Sequence, residues 1–357
     1  MISEKRYVCL CVGIVVLVIS CIAGFNYWQD PADIFAGEHR YMALARKAHD
    51  GKTLLIASSY NERLYRKCFI ATARKGYDTV VLGSSRVMTI GEDCLSNAGT
   101  LINLGVSGGV LEDDMALWYC YQENMKDKPK KIIIGIDPWL LNRANGETRW
   151  KKHLTKEYVL AAKELGFSRK VNSDKVGYAQ LLSKKYTQES WRKWRNNIQP
   201  LEVMIKPENS DEKKSITFSD GSWEYGRAVY KEDSDDAARK YIAGKVYHIE
   251  DYNTLDSQLE MEFAVFVHSL QQQGIKVIFY FPPYHPIVYE YLCQTEKYGC
   301  VFQAEHWFRE FAKENSIEMI GSYNPTEMGF DGTAFFDGMH LKRFVLKDYI
   351  KKELNAR

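Results

Sequence analysis

Ser85 is the residue of this sequence best placed to act as a nucleophile. It follows a short apolar run, residues 80–82, and precedes a segment with a helical pattern. A strand-to-helix turn of this kind exposes one side chain at the carboxyl end of a sheet, where α/β proteins carry their chemistry. The alternative is an ordinary turn in which the serine only caps a helix. A base close to Ser85 would decide between the two.

An activated serine needs a base within hydrogen-bond reach, and the base needs a carboxylate to orient it. Asp337 and His340 are three residues apart, immediately before the last helical segment of the chain. One loop can therefore present both side chains to the same place. Although Asp-x-x-His also occurs often by chance, we predict that His340 accepts the proton of Ser85 and that Asp337 orients His340.

The negative charge that develops on an attacked carbonyl needs preorganised hydrogen-bond donors. The backbone N–H of Ser85 is one candidate, because it lies at a predicted helix start. Gly108 follows the second predicted strand, and its N–H is the other candidate. The alternative for Gly108 is a tight turn that only a glycine accommodates.

Arg86, Asp137 and His285 follow predicted strands at the same edge of the sheet and are candidate substrate-binding residues. An arginine beside the nucleophile suits an anionic substrate, although such a residue is more often structural or solvated. His285 lies in a proline-rich segment, for which a rigid turn is the alternative. No Cys/His cluster has zinc spacing, and the predicted chemistry needs no metal or organic cofactor.

The elements that would position these loops alternate between strand and helix, which indicates a parallel sheet with right-handed crossovers. We predict an α/β fold, a flavodoxin-like three-layer doubly wound sheet of about five strands. The predicted strands are residues 78–83, 101–104, 131–136, 275–281 and 317–320. The predicted helices are residues 87–95, 112–126, 255–273, 302–315 and 341–354.

Residues 142–252 interrupt this alternation with a polar, mostly helical insertion. Helices are expected at 151–164 and 184–195, and loops at 208–214 and 231–236. A long excursion at the active edge of a sheet often binds substrate. We expect a substrate-binding cap, and the alternative is a solvated segment without function.

Residues 7–25 form an uncharged apolar stretch that is long enough to cross a bilayer as a helix. Basic residues precede it and acidic residues follow it, which predicts a cytoplasmic tail at 1–6 and an extracytoplasmic body. The alternative is a lipoprotein anchored at Cys21. Residues 26–76 would be a juxtamembrane connector, mostly helical from residue 40 onward, and residues 77–357 the α/β domain.

Charge and cysteine content exclude other classes of protein. The formal net charge is +2, so no basic field predicts binding to nucleic acid. Three of the eight cysteines lie in the apolar stretch, and the five that remain cannot form a complete disulfide framework. Cys293 and Cys300 could pair if the compartment is oxidising.

Three segments resemble sequence blocks of the SGNH (GDSL-like) hydrolase family, which is named after its Ser, Gly, Asn and His residues. Residues 83–85, Gly-Ser-Ser, are similar to the first block, with Ser84 where most members have Asp. Residues 103–108 resemble the second block and residues 337–340 the fifth. The third block departs from the family, because Asp137 stands where the family has the Asn that helps to bind the oxyanion.

The resemblance covers residues 78–137 and 255–350 and implies acyl-ester chemistry at Ser85. The chain also resembles the anchored D-alanyl transfer proteins of lipoteichoic acid biosynthesis and the SGNH proteins that work beside membrane-bound O-acyltransferases. Those relatives imply an acyl esterase or O-acyltransferase acting on cell-envelope polysaccharide or teichoic-acid-type polymers, with a membrane-bound O-acyltransferase as partner.

Two other functions remain open at this stage. Without the third-block Asn, the same fold could be a non-catalytic module that binds an envelope glycan or acts as a scaffold for a membrane O-acyltransferase. A flavodoxin-like nucleotide binder is the weakest alternative, because the chain has no Walker or Gly-x-Gly-x-x-Gly pattern.

Overall fold

A computed structural model of the chain describes residues 4–31, 35, 37–56, 60–95, 99–168, 171, 178–197, 201–204 and 214–355. The strands are β1 (Thr53–Ile56), β2 (Thr79–Leu82), β3 (Leu101–Asn103), β4 (Lys131–Gly135), β5 (Leu201–Met204), β6 (Ile216–Thr217), β7 (Trp223–Glu224), β8 (Lys276–Phe281) and β9 (Glu318–Gly321). The helices are α1 (Glu4–Gln29), α2 (Gly37–His49), α3 (Glu62–Thr72), α4 (Leu111–Asn124), α5 (Trp150–His153), α6 (Thr155–Glu164), α7 (Lys184–Arg195), α8 (Ser234–Ala243), α9 (Ser257–Gln272), α10 (Pro286–Gln294), α11 (Gly299–Glu314) and α12 (Arg343–Asn355).

The central sheet has the strand order β3-β2-β4-β8-β9, and all of its pairs are parallel. All five strands agree with the predicted ones to within one residue at each end. In the order of these five strands along the chain the arrangement is 2-1-3-4-5, which is the order of flavodoxin-like doubly wound sheets. The direction of winding reverses between β2 and β4, and ligands bind in the crevice at such a point. The α/β class and the five-stranded parallel sheet are therefore confirmed.

Alternate residues of the central strands face two separate hydrophobic clusters. Val80 and Ile132 belong to the larger cluster, which α3, α4, α9 and α11 cover. Val81 and Ile133 belong to the smaller one, which α12 covers with Ile350. Because side chains alternate along a strand, an uninterrupted apolar run is buried on both faces. This burial is why the central strands could be recognised in the sequence.

A second, antiparallel sheet was missed in the sequence. Its order is β5-β1-β6-β7, and β1 lies in the connector that the sequence predicted to be mostly helical. The other three strands belong to the insertion. Strands of two to four residues are too short to show an alternating pattern. The predicted loop at 231–236 is also wrong in part, because α8 begins at Ser234. Residues 208–213 of the other predicted loop lie outside the described residues.

The predicted helices of the insertion and of the α/β domain are present, with one exception. The helix at 184–195 is confirmed as α7, and 151–164 is divided into α5 and α6. α10 was not predicted. The predicted helix at 87–95 is wrong and is described with the site below.

α1 is long and apolar enough to cross a membrane, with a mean hydropathy of 2.9, and its apolar window is not buried by the rest of the protein. The helix extends to Gln29, four residues beyond the predicted end of the apolar segment. Asp30 follows with a φ of 39°, which turns the chain out of the helix.

Cys293 and Cys300 do not form the disulfide that was considered for an oxidising compartment. Cys293 is exposed and Cys300 is buried.

Candidate active site

Ser85, His340 and Asp337 form a continuous hydrogen-bonded chain. Ser85 Oγ lies 2.8 Å from His340 Nε2. On the other side of the ring, His340 Nδ1 lies 2.8 Å from Asp337 Oδ2 and 3.0 Å from Oδ1. A carboxylate only accepts hydrogen bonds, so Nδ1 carries the proton and Nε2 is left to accept from the serine hydroxyl. This is the arrangement in which a histidine can act as a base toward serine.

The Asp337 carboxylate is held by its own loop. Its Oδ1 accepts from the amides of Met339 at 2.9 Å and His340 at 2.8 Å. Burial raises the pKa of Asp337, but the neighbouring His340 and these hydrogen bonds outweigh it and lower the pKa below its ordinary value. Asp337 is therefore ionised at neutral pH, as an orienting carboxylate must be.

The segment after Ser85 consists of hydrogen-bonded turns and one short 3-10 helix, Glu92–Cys94, instead of the predicted helix. The side chain of Asn103 donates to the carbonyls of Val87 and Ile90, both at 2.8 Å. The carbonyl of Met88 accepts from the amide of Trp223 at 2.7 Å. The carbonyls of Met88 and Ile90 thus bond to other parts of the chain, and that of Val87 is shared between Asn103 and the amide of Ile90 at 2.9 Å, in a 3-10-type turn. The predicted helix start at Ser85 is therefore absent.

Asn103 is a positioning residue that sequence reasoning did not identify. It is fully buried at the end of β3, and its Oδ1 accepts from the amide of Gly105 at 2.9 Å. The side chain thus connects the nucleophile turn to the loop that carries Gly108. The sequence shows an Asn at the end of a predicted strand. It does not show that the side chain is buried or that it binds the carbonyls of Val87 and Ile90.

Gly108 lies in a loop that packs directly against the nucleophile turn. A Cβ on Gly109 would lie 2.6 Å from the carbonyl oxygen of Gly83, so only a glycine permits this approach. The amide of Val106 also donates to that carbonyl at 3.0 Å. Gly108 itself has a φ of +58°, and a Cβ there would lie 2.6 Å from Arg149 Nη2. The loop is thus placed beside Ser85, and donation by Gly108 to an oxyanion remains a prediction.

Arg86 does not face a substrate, which corrects the expectation from the sequence. Its side chain is about 1% exposed, and Nη1 lies 3.0 Å from Asp137 Oδ1. Nη2 donates to the carbonyls of Pro282 and Pro283 at 2.6 Å, and Nε donates to that of Met339 at 3.1 Å. The guanidinium therefore ties together the nucleophile turn, the ends of β4 and β8, and the loop of His340.

Asp137 is fully buried and is likewise an internal partner instead of a substrate contact. Burial raises the pKa of Asp137, and the charge of Arg86 opposes that rise. A lone carboxylate at this position would repel an oxyanion. The ion pair with Arg86 compensates its charge, so this position holds a buried pair and not a neutral donor.

His285 is fully buried and caps α10, and so does not line the site as expected. Its Nδ1 accepts from the amide of Ile287 at 3.2 Å, and its Nε2 lies 3.3 Å from Asp235 on α8. Burial lowers the pKa of His285, which favours the neutral ring. Its own amide donates to Gly338 O at 3.1 Å, so the residue supports the loop that carries His340.

Aromatic residues surround the imidazole of His340. Phe336 stacks on it with the ring centroids 5.5 Å apart, and Tyr225 lies 5.9 Å away. Tyr225 follows β7 and also contacts Phe336, at 4.8 Å. The insertion thus reaches the site, as expected of a cap. No sequence pattern marked Tyr225, because an isolated aromatic residue in a polar segment has no periodicity to identify it.

The part of the chain that the structure describes holds no group of three or more His, Cys, Asp or Glu residues arranged to bind a metal ion. A comparison of the chain with protein-family models and with curated proteins gave no match.

Proposed function

We propose that this protein is a membrane-anchored, SGNH-like acyl esterase or O-acyltransferase whose nucleophile is Ser85. The observation that carries the proposal is the hydrogen-bonded chain from Ser85 through His340 to Asp337, with a contact of 2.8 Å on each side of the imidazole. Ser85 is 255 residues from His340 along the chain, and it meets the loop of Asp337 and His340 at the crevice beside β2 and β4. A helix-capping serine would need no such partners.

The reaction follows from this geometry. Ser85 Oγ attacks the carbonyl carbon of an acyl ester while its proton moves to His340 Nε2. The carbonyl oxygen becomes an oxyanion, to which the amides of Ser85 and Gly108 would donate. When the tetrahedral intermediate collapses, His340 returns the proton to the leaving alcohol and the acyl group remains on Ser85. Water or an acceptor hydroxyl then takes up the acyl group by the same steps in reverse.

The buried pair of Arg86 and Asp137 supports this reaction without taking part in it. Arg86 follows the nucleophile and also donates to the carbonyl of Met339, which precedes His340. Serine and histidine are thereby held in register by one rigid group. Fixed placement of both side chains lowers the entropic cost of bringing the reacting groups together.

The membrane location rests on α1, which would anchor the chain with residues 1–6 in the cytoplasm and the body outside. An enzyme so placed would reach cell-envelope polysaccharide or teichoic-acid-type polymers. The resemblance to SGNH proteins that work beside membrane-bound O-acyltransferases suggests such an enzyme as the partner that supplies the acyl group.

A fluorophosphonate probe tests the proposal, because it reacts only with activated serines. We expect the wild type and Ser257→Ala, a control at an exposed serine of α9, to be labelled on Ser85. Ser85→Ala should not be labelled, and His340→Ala only very slowly. A folded wild type that is not labelled would contradict the proposal and favour a non-catalytic glycan-binding or scaffold protein.

A further inference from the structure

α7 packs against the end of the apolar helix α1. Phe25 of α1 packs against two tryptophans of α7, with its ring centroid 6.4 Å from that of Trp191 and 6.5 Å from that of Trp194. The two indoles are themselves 4.9 Å apart. Both tryptophans therefore lie at the level at which the apolar part of α1 ends.

Buried polar contacts fix α7 in this position. The side chain of Asn26 is buried and donates to the carbonyl of Leu181 and to Thr187 Oγ1, both at 2.7 Å. Asp30, also buried, accepts from Tyr186 Oη at 2.8 Å through its side chain, and from Lys193 Nζ at 3.0 Å through its backbone carbonyl. Because buried polar groups are costly unless they are paired, these bonds hold the two helices in one arrangement.

On the side that carries the two tryptophans, the surface of α7 is open and aromatic. Trp191 is 54% exposed and Trp194 50% exposed, although each is a large apolar side chain. Tyr178 and Leu182, in the short 3-10 helix before α7, are exposed beside them. A cluster of exposed apolar side chains marks an interaction surface, and half-exposed tryptophans are typical of the membrane–water boundary.

The same helix is strongly basic. Its sequence contains five basic residues and one acidic residue, Glu189. Lys184, Lys185 and Arg195 are exposed. Lys184 and Arg195 are seven residues before and four residues after Trp191, which puts them on the same side of the helix. Indole rings with basic residues on one helix face are the composition of helices that lie on anionic membranes.

We propose that α7 and the 3-10 helix before it lie on the bilayer that α1 enters. Trp191 and Trp194 would sit among the lipid headgroups, and Lys184 and Arg195 would contact anionic phosphates. Lipid is favoured over a protein partner because this face is continuous with the surface of α1, which the protein leaves uncovered. The inference rests on the membrane location proposed above and is independent of the serine chemistry. Its consequence is that the body is held at a fixed height above the membrane.

Fluorescence quenching by brominated lipids tests the inference. The full chain is reconstituted in phosphatidylcholine vesicles with and without phosphatidylglycerol, and the bromines lie either near the headgroup or near the chain terminus. The emission of Trp191 and Trp194 is the difference between the wild type and Trp191→Phe/Trp194→Phe. This emission should be quenched, most strongly by lipid brominated near the headgroup. Trp307→Phe is the matched control, since Trp307 packs in the α/β domain and its signal should not be quenched.

Trp28, at the end of α1 and 71% exposed, reports separately whether the anchor inserts. Its quenching should persist in the double variant. If Trp28 is quenched while Trp191 and Trp194 are not, the inference is wrong, because the anchor inserts and the face of α7 does not lie on the bilayer. If none of the three is quenched, α1 does not insert, and both the anchor and the inference are overturned.

The charge component has its own test. Phosphatidylglycerol should increase quenching of the two indoles, and Lys184→Gln/Arg195→Gln should abolish that increase while the melting temperature is unchanged. Equal quenching of the wild type with and without phosphatidylglycerol would contradict the contact with anionic lipid.

Discussion

Replacing Arg86 by methionine would leave the Asp137 carboxylate buried without its ion-pair partner. The two side chains are each about 1% exposed and 3.0 Å apart, so water cannot take the place of the guanidinium. Breaking a pair of this kind from one side costs about 3–5 kcal/mol, because the charge that remains is uncompensated. The carbonyls of Pro282, Pro283 and Met339 would lose their donor as well, so we expect the upper part of that range.

Asp137→Asn should be milder than Arg86→Met. The amide has nearly the same volume as the carboxylate, and Arg86 keeps its three carbonyl acceptors. We expect a loss of about 1.5–3 kcal/mol, the range for a hydrogen bond to a charged group. The exposed pair of Arg143 and Asp256, also 3.0 Å apart, supplies the control, and Arg143→Met should cost about 1 kcal/mol or less.

Urea unfolding of the full chain in detergent measures these differences. The midpoints of the variants are compared at a common slope, which must stay constant if only stability has changed. The expected order of destabilisation is Arg86→Met, then Asp137→Asn, then Arg143→Met. A cost for Arg86→Met no larger than that of Arg143→Met would refute the structural role of the buried pair.

Three further substitutions test the site. Asn103→Ala should destabilise the fold by about 1–3 kcal/mol, since the carbonyl of Ile90 loses its donor while that of Val87 keeps the amide of Ile90. It should also lower turnover, and an unchanged rate would argue against a positioning role. Gly108→Ala should lower kcat more than it raises KM. An added Cβ would strain a backbone with a φ of +58° and clash with its neighbours, and so would displace the amide. A wild-type kcat would exclude Gly108 as a donor. Asp337→Asn should reduce turnover on the order of a thousandfold or more. Folding lowers the pKa of Asp337, so its carboxylate stabilises the wild type above about pH 4 and this contribution is lost as the pH falls through the folded-state pKa. The free energies of unfolding of the wild type and of Asp337→Asn should converge as the pH falls. A difference that stays constant with pH would contradict the ionised role of Asp337.

Features that depend on long, regular segments or on residues close together in the chain could be predicted from the sequence. Residues 131–135 are continuous buried strand, and α9 has an apolar stripe, so both were found close to their observed ends. Asp337 and His340 were paired correctly because three residues separate them within one loop. Their meeting with Ser85 follows from a parallel sheet, whose carboxyl ends share one edge.

The remaining features depend on contacts between distant residues. The turn after Ser85 has a helical pattern in the sequence, but Asn103 and the insertion take up its carbonyl groups. Arg86 was a candidate for binding an anionic substrate, because a sequence does not show that three carbonyls and a carboxylate converge on it. Tyr225 carries no pattern at all, and only the folded insertion brings it to His340.

The central claim is that Ser85 becomes acylated through His340. Incubating the full chain in detergent with 4-nitrophenyl acetate, followed by rapid acid quenching and peptide mass spectrometry, measures it directly. The account predicts a burst of nitrophenol and an acetyl group on Ser85 in the wild type, a normal burst in Ser257→Ala, and neither burst nor acetylation at that position in Ser85→Ala or His340→Ala. A folded wild type that carries no acetyl group on Ser85, or a His340→Ala variant acetylated there at the wild-type rate, would contradict it.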